Sequence, residues 1–384
     1  MTHLPERDKS TKPVEVKTTR KLYGLDHLRA LAIGFVFLFH YFILSNGQPE
    51  WLPELARFGW TGVDLFFVLS GFLIASQLFE DIKQRRKISL GGFFLKRFFR
   101  IIPPYLVTVG LYFCIPAFRE KEALPPLWKF LTFTQNFDLD LKHYGTFSHA
   151  WSLCVEEHFY LLLPLILVIY QSVDRFNRSG WLLLALFFFG FGARLYSLNV
   201  MYAPYIGHEN SWLYWYKYVY YPTYNRLDGL LIGVSVAGVY TFHSTLWHRV
   251  SKQGNVLLAA GVLLLILAYW MCEDQQTLVA SVFGFPLLAI SYGFVVAGAI
   301  SPTSFMYNWK STISASIATL SFAIYLTHKG IIKLTHGLLE GTNWDSNWVL
   351  FVCIMTSLLG AILLHVLVEK PFLKIRNSIL NSIN

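Results

Sequence analysis

His40 stands eleven residues after Arg29 in a run that is otherwise almost wholly apolar. Eleven residues is close to three helical turns. The two side chains therefore share a face and differ in depth by about 16 Å. A neutral imidazole can take a proton from a hydroxyl near neutral pH, so His40 is a candidate general base. A hydrogen-bonded core histidine would leave the same signature. Asp64, Ser70 and Gly71 interrupt a second apolar run, Asp64 at one mouth and Gly71 where a backbone or a ligand could approach closely. Arg97 and Arg100 sit at i, i+3 and share a face, with Lys96 beside them. Guanidinium forks suit phosphate oxygens, although simple membrane anchoring would also place cations there.

Glu156 and Glu157 open another apolar run. Adjacent helical residues point about 100° apart, so the two are expected to face different ways. Either could orient His40 or bind a hydroxyl, or simply compensate a helix dipole. Arg226 with Asp228, and Tyr325 with His328, complete the set. They are as compatible with structural pairing as with substrate contact. Cys114, Cys154, Cys272 and Cys353 are far apart and show neither CxxC nor metal-ligand spacing, so they read as bystanders and no metal site is expected.

The elements that must position these groups are apolar helices. The chain is 54% hydrophobic and 17% aromatic, with a mean hydropathy of +0.45 and only 14% charged residues. Soluble domains carry roughly 25% charge. Ala30 to Pro49 and Val279 to Asn308 contain no Asp, Glu, Lys or Arg. A helix needs about 20 apolar residues to cross a bilayer, and an ionisable group at its centre costs about 2.5–3.5 kcal/mol. Polar groups held there therefore usually face a partner or a cavity. The expected fold is all-α and polytopic, with ten spans at 28–45, 62–79, 101–118, 153–171, 181–199, 223–242, 255–272, 278–300, 316–335 and 347–368. Residues 1–20 read as a disordered tail, 21–372 as one transmembrane domain and 373–384 as a second tail. The first apolar run reads as a signal-anchor rather than a cleaved leader.

The net charge of +9 could suggest nucleic acid, but its placement points to topology. With both termini cytoplasmic, the 80–100 loop alone puts Lys83, Arg85, Arg86, Lys87, Lys96, Arg97 and Arg100 inside. The outer loops hold only Arg57, Arg119, Lys121, Lys129, Lys142 and Lys217. This is the positive-inside bias. The aromatic residues Trp212, Tyr214, Trp215, Tyr216, Tyr218, Tyr220 and Tyr221 are expected to form an interfacial belt, with stacking on sugars as the other use of such rings.

The combination of segments resembles the acyltransferase-3 family of membrane acyltransferases. The resemblance rests on residues 25–32 followed by the Arg29-to-His40 spacing and on the Gly62–Phe72 run. It also rests on the basic segment from Lys96 to Tyr105, on Trp151–Tyr160, Arg226–Gly229, Tyr325–His328 and Glu369–Phe372. All occur in family order. Two positions depart from it: His27 replaces a usual Gly, and His158 stands where Gln is common. The resemblance implies ten core helices, a cytoplasmic acyl-CoA donor, acetyl-CoA the commonest, and an acceptor hydroxyl on the far side of a bacterial inner membrane. It implies that Arg29 and His40 are required and favours Glu156 over Glu157. On this reading Arg97, Arg100 and Arg29 hold the donor phosphates, with Ser70 and Gly71 lining the donor path. His40 is the base, oriented by Glu156 or Asp64, or is itself transiently acylated. Arg226, Asp228, Tyr325 and His328 contact the acceptor. The expected partners are acyl-CoA, a glycan or other hydroxyl compound, and the bilayer. A transporter or flippase, and an acyltransferase acting on a small molecule, are the competing readings.

Overall fold

A computed structural model describes residues 22–45, 47–121, 123–172 and 179–383, and the expected 1–20 tail lies outside them. Each of the ten expected spans overlaps a helix: α1 (Tyr23–Leu44), α2 (Gly62–Lys83), α3 (Leu90–Cys114), α4 (Trp151–Ser172), α5 (Ser179–Tyr196), α6 (Asp228–Phe242), α7 (Gly254–Met271), α8 (Phe285–Ala299), α9 (Thr312–Leu339) and α10 (Ser346–Leu364). No strand occurs among the described residues. The segment set aside as a C-terminal tail is helical: a π-helical turn at His365–Glu369 leads into α11 (Lys370–Ile383).

Among the described residues, eight stretches are long and apolar enough to cross a membrane. The two expected spans outside that set are α3, whose first half carries Lys96, Arg97 and Arg100, and α6, which has only 15 residues. The perimeter is apolar: Leu161, Phe188, Leu263, Trp270, Phe351 and Leu359 are all at least half exposed. Only lipid makes such a surface cheap, and the chain is a multi-pass membrane protein.

Backbone contact sets the scaffold. α2 crosses α6 so closely that a Cβ at Gly71 would fall 2.2 Å from the Leu230 carbonyl oxygen. A Cβ at Gly233 would fall 2.2 Å from that of Val68. Gly71 thus serves a neighbouring backbone and not a ligand. α1 packs along both α9 and α2, and α11 lies back against α3. The starts of α3 and α9 are capped by side chains, Ser89 Oγ accepting from Gly92 N–H at 3.2 Å and Ser311 Oγ from Ser314 N–H at 3.2 Å.

Candidate active site

The packing of α1 on α9 brings together three histidines. His40 Nδ1 lies 2.7 Å from His328 Nε2, and His328 Nδ1 lies 2.8 Å from the Ile324 carbonyl oxygen. A carbonyl can only accept, so His328 Nδ1 carries a proton. In neutral His328 the Nε2 is then the acceptor, and His40 Nδ1 donates to it. That assignment leaves His40 Nε2 with a free lone pair. His149 completes the cluster, with ring centroids 5.6 Å from His40 and 5.1 Å from His328. It is buried, and neither of its ring nitrogens has a hydrogen-bond partner.

His149 is delivered by the segment between α3 and α4. Glu120 organises that segment. Its Oε1 accepts from the Phe147 N–H at 3.0 Å and pairs with Lys329 Nζ at 2.9 Å, and Lys329 also reaches Ser148 Oγ at 3.3 Å. Phe147 is left-handed at φ 57° and buried, its ring stacked 4.4 Å from Tyr112. A non-glycine residue there is costly and persists because its surroundings over-determine it. The strain sits two residues before His149.

Two cavities flank this cluster. The outer one, 360 Å³, is lined by His40, His149, Lys329 and Glu120, with Trp60, Trp151, Trp212, Tyr216, Tyr220 and Tyr221 around them. The aromatic belt expectation is therefore corrected for Trp212, Tyr216, Tyr220 and Tyr221, whose rings turn inward to a cavity. Trp215 is buried and donates from Nε1 to Ser281 Oγ at 2.9 Å. The inner cavity, 380 Å³, gathers Arg29, Lys96, Arg97, Arg100 and Arg376 with Ser70, Gln77, Glu156 and Glu157. Cations outnumber carboxylates there, which fits a ligand carrying several negative charges. Arg97 lies over the Tyr160 ring at 5.4 Å, and Tyr160 Oη donates to Glu156.

Val63 and Tyr325 line both cavities and so form the partition. Tyr325 Oη donates to the His149 carbonyl, so Ser152 Oγ, 2.6 Å away, must donate to Tyr325. One tyrosine thus ties α9 to both the His149 segment and α4.

A family model described as an acyltransferase domain matches residues 22–366. The chain belongs to the acyltransferase-3 family. A provisionally named O-acetyltransferase of Staphylococcus aureus (strain COL) is 26% identical over 376 residues, covering 93% of this chain and 58% of that protein. O-acetyltransferase OatA of Staphylococcus aureus (strain NCTC 8325 / PS 47) is 28% identical over 336 residues, covering 82% of this chain and 51% of its own. The chain spans about half the length of these curated relatives. No solved structure matches it.

The acyltransferase-3 domain distributes the expected site residues unevenly. His40 and His328 meet; Arg29, Ser70, Arg97, Arg100 and Glu156 line the inner cavity. Glu156 is therefore across the Tyr325 partition from His40 and does not orient it. Glu157, expected to face elsewhere, lines the same cavity, because Leu153, Glu156, Glu157 and Tyr160 form one i, i+3, i+4, i+7 face of α4. Asp64 does not orient His40 either. Its Oδ1 is 2.8 Å from Arg226 Nη2, with both side chains at or below 5% exposure, and Arg226 stacks 4.1 Å from Phe285 and 4.5 Å from Tyr220. Asp228 is committed to Arg194 at 2.5 Å. Neither Arg226 nor Asp228 lines either of these two cavities; Arg226 braces Trp151 and Tyr220 of the aromatic wall from behind. Arg29 stands apart from His40, pairing with Asp26 at 3.6 Å.

Other groups in the acyltransferase-3 domain escape sequence reading. His149 and Glu120 lie in segments with no helical period, and Lys329 had only its burial in a span to mark it. The two family departures have local explanations. His27 hydrogen-bonds the Trp309 carbonyl at 2.9 Å and stacks on its indole at 4.7 Å. His158 is 2.8 Å from Thr223 Oγ1. All four cysteines are unpaired, Cys114 exposed and the others buried. Among the described residues, no group of three or more His, Cys, Asp or Glu could hold a metal ion.

Proposed function

We propose that this chain is a membrane O-acyltransferase. It moves an acyl group, acetyl first among candidates, from cytoplasmic acyl-CoA to a hydroxyl of a glycan at the outer side of a bacterial inner membrane. The observation that carries this reading is the free lone pair of His40 Nε2 beside a partition that divides a cation-rich cavity from an aromatic one. The phosphates of the donor lie among Arg29, Lys96, Arg97 and Arg100, which sets the basic cavity at the cytoplasmic face and both chain ends with it. The thioester end passes Val63 and Tyr325 toward His40.

His40 Nε2 takes the proton of the acceptor hydroxyl as its oxygen attacks the thioester carbonyl. The C–O bond forms, the tetrahedral oxyanion collapses, the C–S bond breaks, and the thiolate leaves to receive the proton. General-base action contributes typically about 10²–10⁴-fold. His328 fixes the tautomer that makes this possible. His149, a buried donor without a partner, supplies the oxyanion contact. Tyr216, Tyr220, Tyr221 and Trp212 offer flat faces and hydroxyls suited to a sugar ring. The relatives' names, O-acetyltransferases, agree with this chemistry.

The test is transfer of label from radiolabelled acetyl-CoA to polysaccharide in proteoliposomes. Wild type should acylate the polysaccharide and His40→Ala should not. Full transfer by His40→Ala would overturn the assignment of the base. Absence of thioester consumption by wild type with any glycan or small alcohol would overturn the activity itself.

A further inference from the structure

A third cavity, of 180 Å³, opens between α1, α3, α9 and the corner where α10 runs into α11. It shares Arg29, Arg100 and Phe322 with the basic cavity, so the two meet at those residues. Beyond the junction their chemistry diverges. The basic cavity continues to Lys96, Arg97 and Arg376, whereas the side cavity ends on His365, Glu369 and Asp26.

Glu369 is 7% exposed. Its Oε2 accepts from His365 Nδ1 at 2.6 Å, while Oε1 is buried and has no hydrogen-bond partner. Leaving a buried carboxylate oxygen unmet is costly, and a ligand N–H would relieve the cost. The π-helical turn His365–Glu369 holds both side chains on this wall, and such widened turns recur where a ligand is bound.

We propose that the side cavity is the base pocket for the donor's nucleotide. It takes an adenine ring whose exocyclic amine donates to Glu369 Oε1 and whose face lies on Phe322. Arg29 and Arg100, at the junction, meet the adjoining phosphates. The proposal rests on the acyl-CoA reading above. A donor with an anionic middle and a neutral, amine-bearing aromatic end matches a basic cavity with an acidic, aromatic annexe. An ionised carboxylate only accepts hydrogen bonds, so a base with a carbonyl at the amine's position is repelled.

The experiment measures KM for acetyl-CoA and for its deaminated analogue, in which hypoxanthine replaces adenine, using full-length protein in nanodiscs. Wild type should show a KM roughly 10–100-fold higher for the deaminated donor. Glu369→Gln, whose amide can turn to donate, should bring that ratio to within about threefold. A wild-type ratio near one, or an unchanged ratio in Glu369→Gln, overturns the pocket. Each ratio is internal to one protein, so partial loss of folded enzyme cancels. If Glu369→Gln gives no active protein, Phe322→Leu decides. It should raise KM for both nucleotide donors relative to acetyl-4′-phosphopantetheine, and an unchanged relative KM overturns the proposal. Failure of wild type to consume any of the three thioesters instead overturns the acyl-CoA reading, and the pocket with it.

Discussion

The two cavities on either side of Tyr325 are nearly equal in volume, 380 and 360 Å³, and nearly opposite in chemistry. The inner one is a cluster of long cationic side chains with few partners. The outer one is a cage of rings around one imidazole whose tautomer is fixed. Charge without fixed geometry suits a flexible, polyanionic ligand, because Coulomb attraction is tolerant of angle. Proton transfer is not tolerant, and His40 is held by a chain of hydrogen bonds that ends on a backbone carbonyl. On the proposed function, the difference means that binding and chemistry occupy separate chambers, with Tyr325 as their common wall.

Five experiments would break or sharpen that contrast. The largest effect is expected from His40→Ala, which should lower kcat by about 10³-fold while leaving donor binding near its wild-type strength. In the wild type, kcat should fall by about tenfold per unit once pH drops below the pKa of the His40–His328 pair, because an imidazolium cannot accept a proton. A rate that rises with acidity in stopped-time label transfer would remove the imidazole from the reaction. Next, Asp64→Asn leaves the Arg226 charge buried and uncompensated, and breaking such a pair costs about 3–5 kcal/mol. Thermal unfolding in detergent should show the loss, and Asp64→Leu combined with Arg226→Met should recover part of it. An additive double variant would mean that the two charges do not act as a pair.

The inner chamber should respond differently. Arg97→Gln or Arg100→Gln should each raise donor KM about tenfold with kcat little changed, since a charge-assisted contact is worth about 1.5–3 kcal/mol. A kcat effect without a KM effect would move those residues from binding to chemistry. The smallest change is expected from Trp212→Ala, which removes one face of the outer cage. Acceptor KM should rise about threefold to tenfold and donor KM should stay put. Equal effects on both substrates would argue that the two chambers are one.

How much was legible in the sequence differed between the chambers for a physical reason. Arg29 and His40, or Arg97 and Arg100, share a helix, and helical spacing alone puts them on one face. The relation of His40 to His328 spans 288 positions and that of Arg226 to Asp64 spans 162. No local period encodes either. Glu156 illustrates the failure: its place at the head of an apolar helix was clear, but which chamber it enters depends on how α4 leans against α2. Glu157 was expected on another side because a helix separates neighbours by angle, but the two carboxylates straddle the single face of α4, from Leu153 to Tyr160, that lines the cavity.

By itself, the sequence determined that the chain is an all-helical membrane protein. It determined the apolar helical segments, the basic segment ahead of Pro103 and Pro104, and a histidine placed about three turns beyond an arginine. These follow from composition and from the pitch of one helix, which are local quantities. Only the tertiary structure decided that Asp64 and Asp228 neutralise arginines instead of serving His40. The same holds for His328 and His149 as the companions of His40, and for Tyr325 as the wall between two chambers. A buried polar group must be satisfied by whichever group the packing brings within about 3 Å, and that choice is made by helices crossing in space, not by residues adjacent in the chain.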